Sequence, residues 1–170
     1  MRRIANLYIL SILIFCLGCK AEKNDNKNPE IMVFNIANET SRANFQKLKL
    51  DDTHSNLLNP SISKDSMKFV YKSWSELHTN MSGFLNKKDF DWGISDEKIK
   101  IFNKIYFHKN GNVKAYAYRI YNPITNKKGE EYGKLIEEFL KSTQISISKD
   151  KDFAQCGKVS LPNTIKNQEI

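Results

Sequence analysis

Three histidines, His54, His78 and His108, are the residues in this chain best suited to metal binding or proton transfer. A zinc site needs three or four clustered ligands, and no two of these histidines have HxxxH or HExxH spacing. They fall in a loop-like stretch, a helical pattern and a turn-rich hairpin. We therefore predict no metal site, and we expect His78 to stack near Trp74, which lies four residues earlier on the same helix.

Nucleophilic catalysis has one candidate thiol, Cys156, but the sequence shows no histidine paired with it. We interpret Cys156 as a buried structural thiol. Glu130, Glu131, Glu137 and Glu138 could supply paired carboxylates, yet their spacing places them on a solvated helix face. The chain has no GxSxG or Walker motif. The sequence thus predicts a non-enzymatic protein without a cofactor, and a hydrolase with an unrecognised site stays open as an alternative.

The N-terminus carries a pattern typical of a segment that is removed from the protein after export. Arg2 and Arg3 precede the apolar run Leu7–Leu17, which is followed by Gly18 and Cys19. A basic start, an apolar run of about 7–15 residues and a small residue are typical of a secretory signal. The run is shorter than the roughly 20 residues of a spanning helix. The sequence therefore predicts an export signal that ends before Cys19.

The end of this run, with the letters CLGC, resembles a bacterial lipobox, in which a small residue precedes the cysteine that is acylated. The resemblance implies that signal peptidase II removes residues 1–18. It also implies that Cys19 then carries acyl chains that anchor the protein in a lipid bilayer. Lys20 follows the acylated cysteine at the position where an aspartate would favour retention in the inner membrane. Its presence implies a location in the outer membrane, facing the periplasm. An uncleaved anchor helix and a secretory cut without lipid are the alternatives.

The formal net charge of +8 could indicate a nucleic-acid or membrane-surface partner. The charge is dispersed over lysines, without an arginine cluster or a basic run interleaved with aromatics, and we predict no nucleic-acid partner.

The cysteine content restricts disulfide bonding. Loss of Cys16 with the signal and acylation of Cys19 would leave Cys156 as the remaining thiol. This excludes an intramolecular disulfide in the mature chain.

The remainder divides into three parts by composition. Residues 19–30 are polar and charged, which predicts a lipid-bearing disordered tether. Residues 31–162 are predicted to form a single domain, and residues 163–170 a loose tail. Within the domain, apolar periodicity predicts helices over 41–49, 65–87 and 130–141 and strands over 31–36, 145–147 and 153–161.

Residues 99–121 predict a β-hairpin that turns at Asn110–Gly111. A two-residue loop would pair Phe107 with Lys114, whereas a three-residue loop with Gly111 in a left-handed bulge would pair Phe107 with Val113. We favour the three-residue loop because it separates an aliphatic face from an aromatic one. The aliphatic face would hold Ile99, Ile101, Ile105, Phe107, Val113, Ala115 and Ala117, and the aromatic face Phe102, Tyr106, Tyr116, Tyr118 and Ile120.

These elements predict an α+β fold: a small antiparallel sheet built on the 99–121 hairpin and packed by helices near 65–87 and 130–141. The aromatic face is too apolar to be fully solvated, so it is either covered by the 65–87 helix or available for binding. Trp92 either covers an end of the core or joins an exposed contact site. The candidate binding surface comprises Tyr106, Tyr116, Tyr118, Phe102 and Trp92.

The order strand–strand–helix–strand after Lys98 resembles the C-terminal half of TonB-like envelope domains. The stretches FHKNGNV and KVSLP carry this resemblance. It implies a hairpin and a helix packed into a small α+β layer. The whole chain is also similar to small uncharacterised bacterial lipoproteins, a resemblance that implies no activity.

We expect from these patterns a non-enzymatic envelope lipoprotein that binds an unidentified envelope protein through the aromatic face or an open sheet edge. An immunity protein against a toxin delivered into the periplasm is one form of this hypothesis. The alternative is a binder of a small apolar or sugar ligand held by the aromatic side chains.

Overall fold

The structure is a computed structural model that describes residues 30–163. The predicted signal peptide, Cys19 and the tether up to residue 29 lie outside the described residues, as does the tail from residue 164.

A five-stranded mixed sheet forms the centre of the described region, in the order β1-β4-β3-β5-β2. Its strands are β1 (Met32–Asn35), β2 (Ser55–Asn56), β3 (Lys98–Phe107), β4 (Val113–Ile120) and β5 (Phe153–Pro162). The predicted α+β class is confirmed. The sheet is not purely antiparallel, however, because β1 pairs with β4 and β2 pairs with β5 in parallel. Only the β3–β4 hairpin is closed by a short turn; the parallel pairs join residues far apart in sequence.

Within residues 30–163, four α-helices accompany the sheet: α1 (Glu39–Lys47), α2 (Pro60–Ser63), α3 (Met67–Lys87) and α4 (Asn126–Lys141). The apolar stripe of α3 matches the helix predicted over 65–87. Helix α4 begins four residues before the predicted start, because the Thr125 side chain accepts a hydrogen bond from the Lys128 amide and caps it. None of the helices within residues 30–163 has the length and apolarity needed to cross a bilayer.

The hairpin turn follows the three-residue prediction at its tip. Phe107 pairs with Val113, and Gly111 adopts a positive φ of +86°. A Cβ atom at Gly111 would lie 2.5 Å from the Ile145 carbonyl oxygen, so this position also requires a residue without a side chain. Beyond the tip the prediction is wrong: Tyr106 pairs with Ala115, and Lys114 is left as a bulge.

This bulge reverses which residues share a face. Ile105 lies opposite Tyr116 and Asn103 opposite Tyr118, so the β3 aliphatics and the β4 tyrosines point to the same side. We call this side the core face, because α3 and α4 cover it. The opposite side, the outer face, carries Phe102, Lys104, Tyr106, Ala115 and Ala117, in accordance with the alternation of side chains along a strand.

Helix α1 covers one end of the outer face. The Phe45 ring packs 5.5 Å from Phe34 and 5.9 Å from Tyr106, measured between ring centroids. The strand predicted over 145–147 does not form. Ile145 and Ile147 are buried in an extended segment, and the Ile145 amide donates to the Gly111 carbonyl oxygen at 3.1 Å.

Candidate functional site

The predicted aromatic binding surface lies mostly inside the protein. Tyr106 and Tyr116 are 0 % exposed, Tyr118 is 2 % exposed and Trp92 is 3 % exposed. Tyr116 and Tyr118 lie under α3 and α4 on the core face, whereas Tyr106 lies on the outer face under Phe45. These four side chains therefore do not form a surface for a protein, an apolar ligand or a sugar. Phe102, the fifth predicted residue, is half-buried on the outer face.

The core tyrosines take part in a buried hydrogen-bonded network that joins both helices to the sheet. The Tyr116 hydroxyl donates to Asn103 Oδ1 at 2.5 Å and lies 2.7 Å from the Tyr132 hydroxyl on α4. Asn103 Nδ2 donates to His78 Nε2 on α3 at 2.8 Å. Because Tyr116 gives its proton to Asn103, it accepts the proton of Tyr132. The network thus aligns α3, β3, β4 and α4.

His78 ends this network as a neutral imidazole. Its Nδ1 donates to the Trp74 carbonyl oxygen at 2.8 Å, so Nε2 is free to accept from Asn103. Burial lowers the pKa of His78 to about 4. The His78 ring packs 4.1 Å from the Trp74 ring between centroids, so the predicted contact forms, but the rings are tilted by 56° and not stacked. At neutral pH this histidine is a fixed hydrogen-bond acceptor.

A second polar cluster lies near the hairpin tip. The Asp152 carboxylate lies 3.5 Å from His54 Nε2, 3.6 Å from His108 Nδ1 and 3.2 Å from Lys114 Nζ. The Lys114 ammonium also lies 3.4 Å from His54 Nε2. Burial lowers the pKa of His54 and leaves it neutral at pH 7. Within residues 30–163 no group of three or more His, Cys, Asp or Glu side chains is arranged to hold a metal ion.

Cys156 lies half-buried on the outer face. Burial raises the pKa of its thiol, which keeps it protonated at neutral pH and makes it a poor nucleophile. Of the four glutamates of α4, Glu137 and Glu138 bond to Lys141 and Lys88, and Glu130 is exposed. Glu131 pairs with Lys128.

The outer edge of β5 is the longest strand edge left open in the described region. Strand β2 pairs with only Phe153 and Ala154, and the Cys156 amide donates to Asn56 Oδ1 on the same side. Backbone groups alternate in direction along a strand. The N–H and C=O groups of Lys158 and Ser160 therefore point outward, where no described strand pairs with them.

Helix α3 runs beside this edge and makes it one wall of a groove of about 540 Å³. The floor is formed by Trp74, His78, Val159 and Leu161, and the helix wall by Ser75, Thr79, Ser82, Gly83 and Asn86. We call this site the β5 groove. Small side chains on the wall keep it open, and a Cβ atom at Gly83 would meet no heavy atom within 4 Å. The groove therefore joins an unpaired strand edge to a partly apolar floor.

Strand β1, at the other edge of the sheet, is a less suitable edge for an added strand than β5. A groove of about 630 Å³ lies between α1 and α4, where Val33 and Asn35 contribute to its lining. The Asn35 carbonyl oxygen already accepts from the Asn38 amide at 3.1 Å, which closes the end of the strand. Strand β1 spans only four residues. Its groove is lined mainly by polar and charged side chains, which contribute little apolar burial.

Sequence reasoning did not find the residues of the β5 groove. The 153–161 strand and the 65–87 helix were both predictable, but their side-by-side placement and the short length of β2 are tertiary features. One sequence feature was visible: Ser75, Thr79, Ser82 and Gly83 form a stripe of small residues at helical spacing. Comparison with family models, curated proteins and solved structures finds no match to this chain.

Proposed function

We propose that this chain is a membrane-anchored envelope lipoprotein whose domain binds another protein and catalyses no reaction. The partner contributes an extended segment that adds to the open edge of β5 inside the β5 groove. Acylated Cys19 would hold the domain at the bilayer, as the Gly18–Cys19 pattern after a short apolar run implies.

The observation that carries this proposal is the unpaired edge of β5 beside α3. An extended peptide that joins a sheet edge gains main-chain hydrogen bonds, and its alternate side chains enter pockets beside the sheet. Lys158 and Ser160 supply the outward backbone groups, and the Trp74, Val159 and Leu161 side chains supply apolar floor. An isolated open edge is an aggregation hazard, so occupation by a partner also explains why such an edge is tolerated.

The buried network supports binding rather than catalysis. Asn103 bonds to His78 and Tyr116, His78 also bonds to the Trp74 carbonyl oxygen, and the low pKa of His78 keeps it neutral. These groups fix the position of α3 relative to β3 and β5, so the groove is present before a partner arrives. A preformed site loses less conformational entropy on binding.

Site-specific photo-cross-linking in cells tests the proposal. A benzophenone side chain at Thr79, on the groove wall, should give an adduct with one envelope protein, and one at Lys47, on α1, should not. Mass spectrometry should place the adduct on a segment of the partner that, as a synthetic peptide, binds the purified full-length chain.

The substitution Gly83→Leu adds a side chain to the groove wall at a position where a Cβ atom would meet no heavy atom within 4 Å. It should abolish the Thr79 adduct, whereas the matched control Ala43→Leu on α1 should leave it unchanged. Equal cross-linking from Thr79 and Lys47, or an adduct that survives Gly83→Leu, would contradict the assignment of the β5 groove.

A further inference from the structure

The outer face beside β5 carries positive charge without carboxylate partners. Lys158, Phe102 and Arg119 lie in one row across β5, β3 and β4, and Ser160 and Lys100 lie in the next. Lys158, Arg119 and Lys100 are exposed. No salt bridge to any of the three occurs among the described residues. We call these three cations the basic strip.

The charged ends of Lys158 and Arg119 converge on one aromatic ring. Lys158 Nζ lies 5.4 Å and Arg119 Cζ 5.5 Å from the centroid of the Tyr121 ring, which is 47 % exposed. Cation–π contacts of exposed groups are weak. Both charges therefore stay available for a stronger anionic partner.

Two aspartates near the sheet, Asp51 and Asp96, hold hydrogen bonds to other groups. Asp51 accepts hydrogen bonds from Lys104 and Tyr106. Asp96 accepts from Asn122 Nδ2 at 2.5 Å, and Asp96 and Glu97 line a surface groove with Lys100 but form no salt bridge to it. Within residues 30–163, therefore, no carboxylate forms a salt bridge with a cation of the basic strip.

We infer that the segment taken by the β5 groove alternates acidic and apolar residues, an inference that rests on the function proposed above. A strand added to β5 would lie about 4.8 Å from it. Residues opposite Lys158 and Ser160 would project onto the outer face, within reach of the flexible Lys158 side chain. Residues opposite Val159 and Leu161 would project onto the core face, beside the α3 wall. The first set would be acidic and the second apolar.

Three blocked seven-residue peptides test this inference against the purified full-length chain. The peptides alternate valine with glutamate, with glutamine or with lysine. The glutamate peptide should bind at least about fivefold more tightly than the glutamine peptide, because each exposed charge pair contributes modestly. The lysine peptide should bind most weakly, and the differences should shrink at high salt because exposed charges are screened.

Two variants separate the inference from the proposed function. Lys158→Glu should reverse the order of the glutamate and lysine peptides, whereas the matched control Lys127→Glu on α4 should preserve it. Gly83→Leu should weaken all three peptides. If the three peptides bind equally well and Gly83→Leu abolishes their binding, the acidic preference is overturned. The assignment of the β5 groove as the binding site is then retained. Binding that Gly83→Leu does not weaken, or no binding at all, would overturn both.

Discussion

His78 and Asn103 join helix α3 to the centre of the sheet through one buried hydrogen bond, in which Asn103 Nδ2 donates to His78 Nε2 at 2.8 Å. Asn103 is 0 % exposed and His78 is 6 % exposed. A polar group buried in this way must keep its partners, because an unpaired buried donor or acceptor is destabilising. The contact therefore specifies how α3 lies on β3, and with it the shape of the β5 groove.

Tyr116→Phe should destabilise the protein by about 1–3 kcal/mol. The substitution removes the hydroxyl that donates to Asn103 Oδ1 and accepts from Tyr132, and it leaves both of these groups buried. Urea unfolding at pH 7 measures the change. Tyr71→Phe is the matched control, since Tyr71 is 54 % exposed, and it should change the free energy of unfolding by less than about 0.5 kcal/mol. Equal effects of the two substitutions would show that the network is not stabilising.

The free energy of unfolding should fall as the pH is lowered from 6.5 to 4. The pKa of His78 is about 4 in the folded state and 6.5 in the reference state. The unfolded chain therefore binds a proton more readily in this window. The stabilisation from neutral His78 is complete above pH 6.5 and amounts to about 3 kcal/mol.

The variant His78→Gln isolates this contribution, because glutamine can accept from Asn103 but does not titrate. Its stability should vary less between pH 7 and pH 4.5 than that of the natural chain, by about 2–3 kcal/mol. His54, whose pKa is also lowered, contributes to the pH dependence of both proteins and cancels in the comparison. Identical pH profiles would contradict the assignment to His78.

Two glycines in helices should respond in opposite directions to alanine. A Cβ atom at Gly133 would lie 2.6 Å from the Tyr118 hydroxyl oxygen, and that hydroxyl is held by its bond to the Gly129 carbonyl oxygen. Gly133→Ala should therefore destabilise the protein by about 1–3 kcal/mol. At Gly83 the added methyl meets open space, and Gly83→Ala should stabilise by about 0.5–1 kcal/mol. Thermal unfolding of the two variants measures the change in stability. A loss of stability in both would refute the packing difference.

Cys19→Ala should abolish incorporation of radioactive fatty acid into the protein and release the chain from the membrane fraction. The reason is that the acyl chains on Cys19 would supply the membrane affinity of the mature protein. Cys156→Ala is the control and should label normally, because its thiol lies within the folded domain. Labelling that persists after Cys19→Ala would disprove the lipid attachment site.

Local patterns in the sequence anticipated much of the fold. The recurrence of Val70, Trp74, Leu77 and Met81 predicted α3, and these residues are buried in the structure. The Asn110–Gly111 pair predicted the hairpin and the pairing of Phe107 with Val113. Both predictions succeeded because they depend on interactions between residues close in sequence.

The same patterns misassigned the two faces of the hairpin. Phe107, Ile105 and Ile101 were grouped with Ala115 and Ala117, but the bulge at Lys114 moves the β4 tyrosines onto their side. The sequence could not reveal this because both faces carry apolar side chains, so a one-residue shift does not expose an obviously apolar set. The observed register brings the Tyr116 hydroxyl to the buried Asn103 Oδ1 and so supplies this oxygen with a donor.

The sequence by itself determined helices α1, α3 and α4, the hairpin turn and the α+β class, because helical period, glycine conformation and side-chain alternation act over a few residues. Only the tertiary structure decided that β1 and β2 join the sheet in parallel and that Tyr116 and Tyr118 are buried. The tertiary structure alone also placed the unpaired edge of β5 beside α3. Those outcomes depend on contacts between distant segments and on one bulged residue, and no periodicity in the chain encodes either.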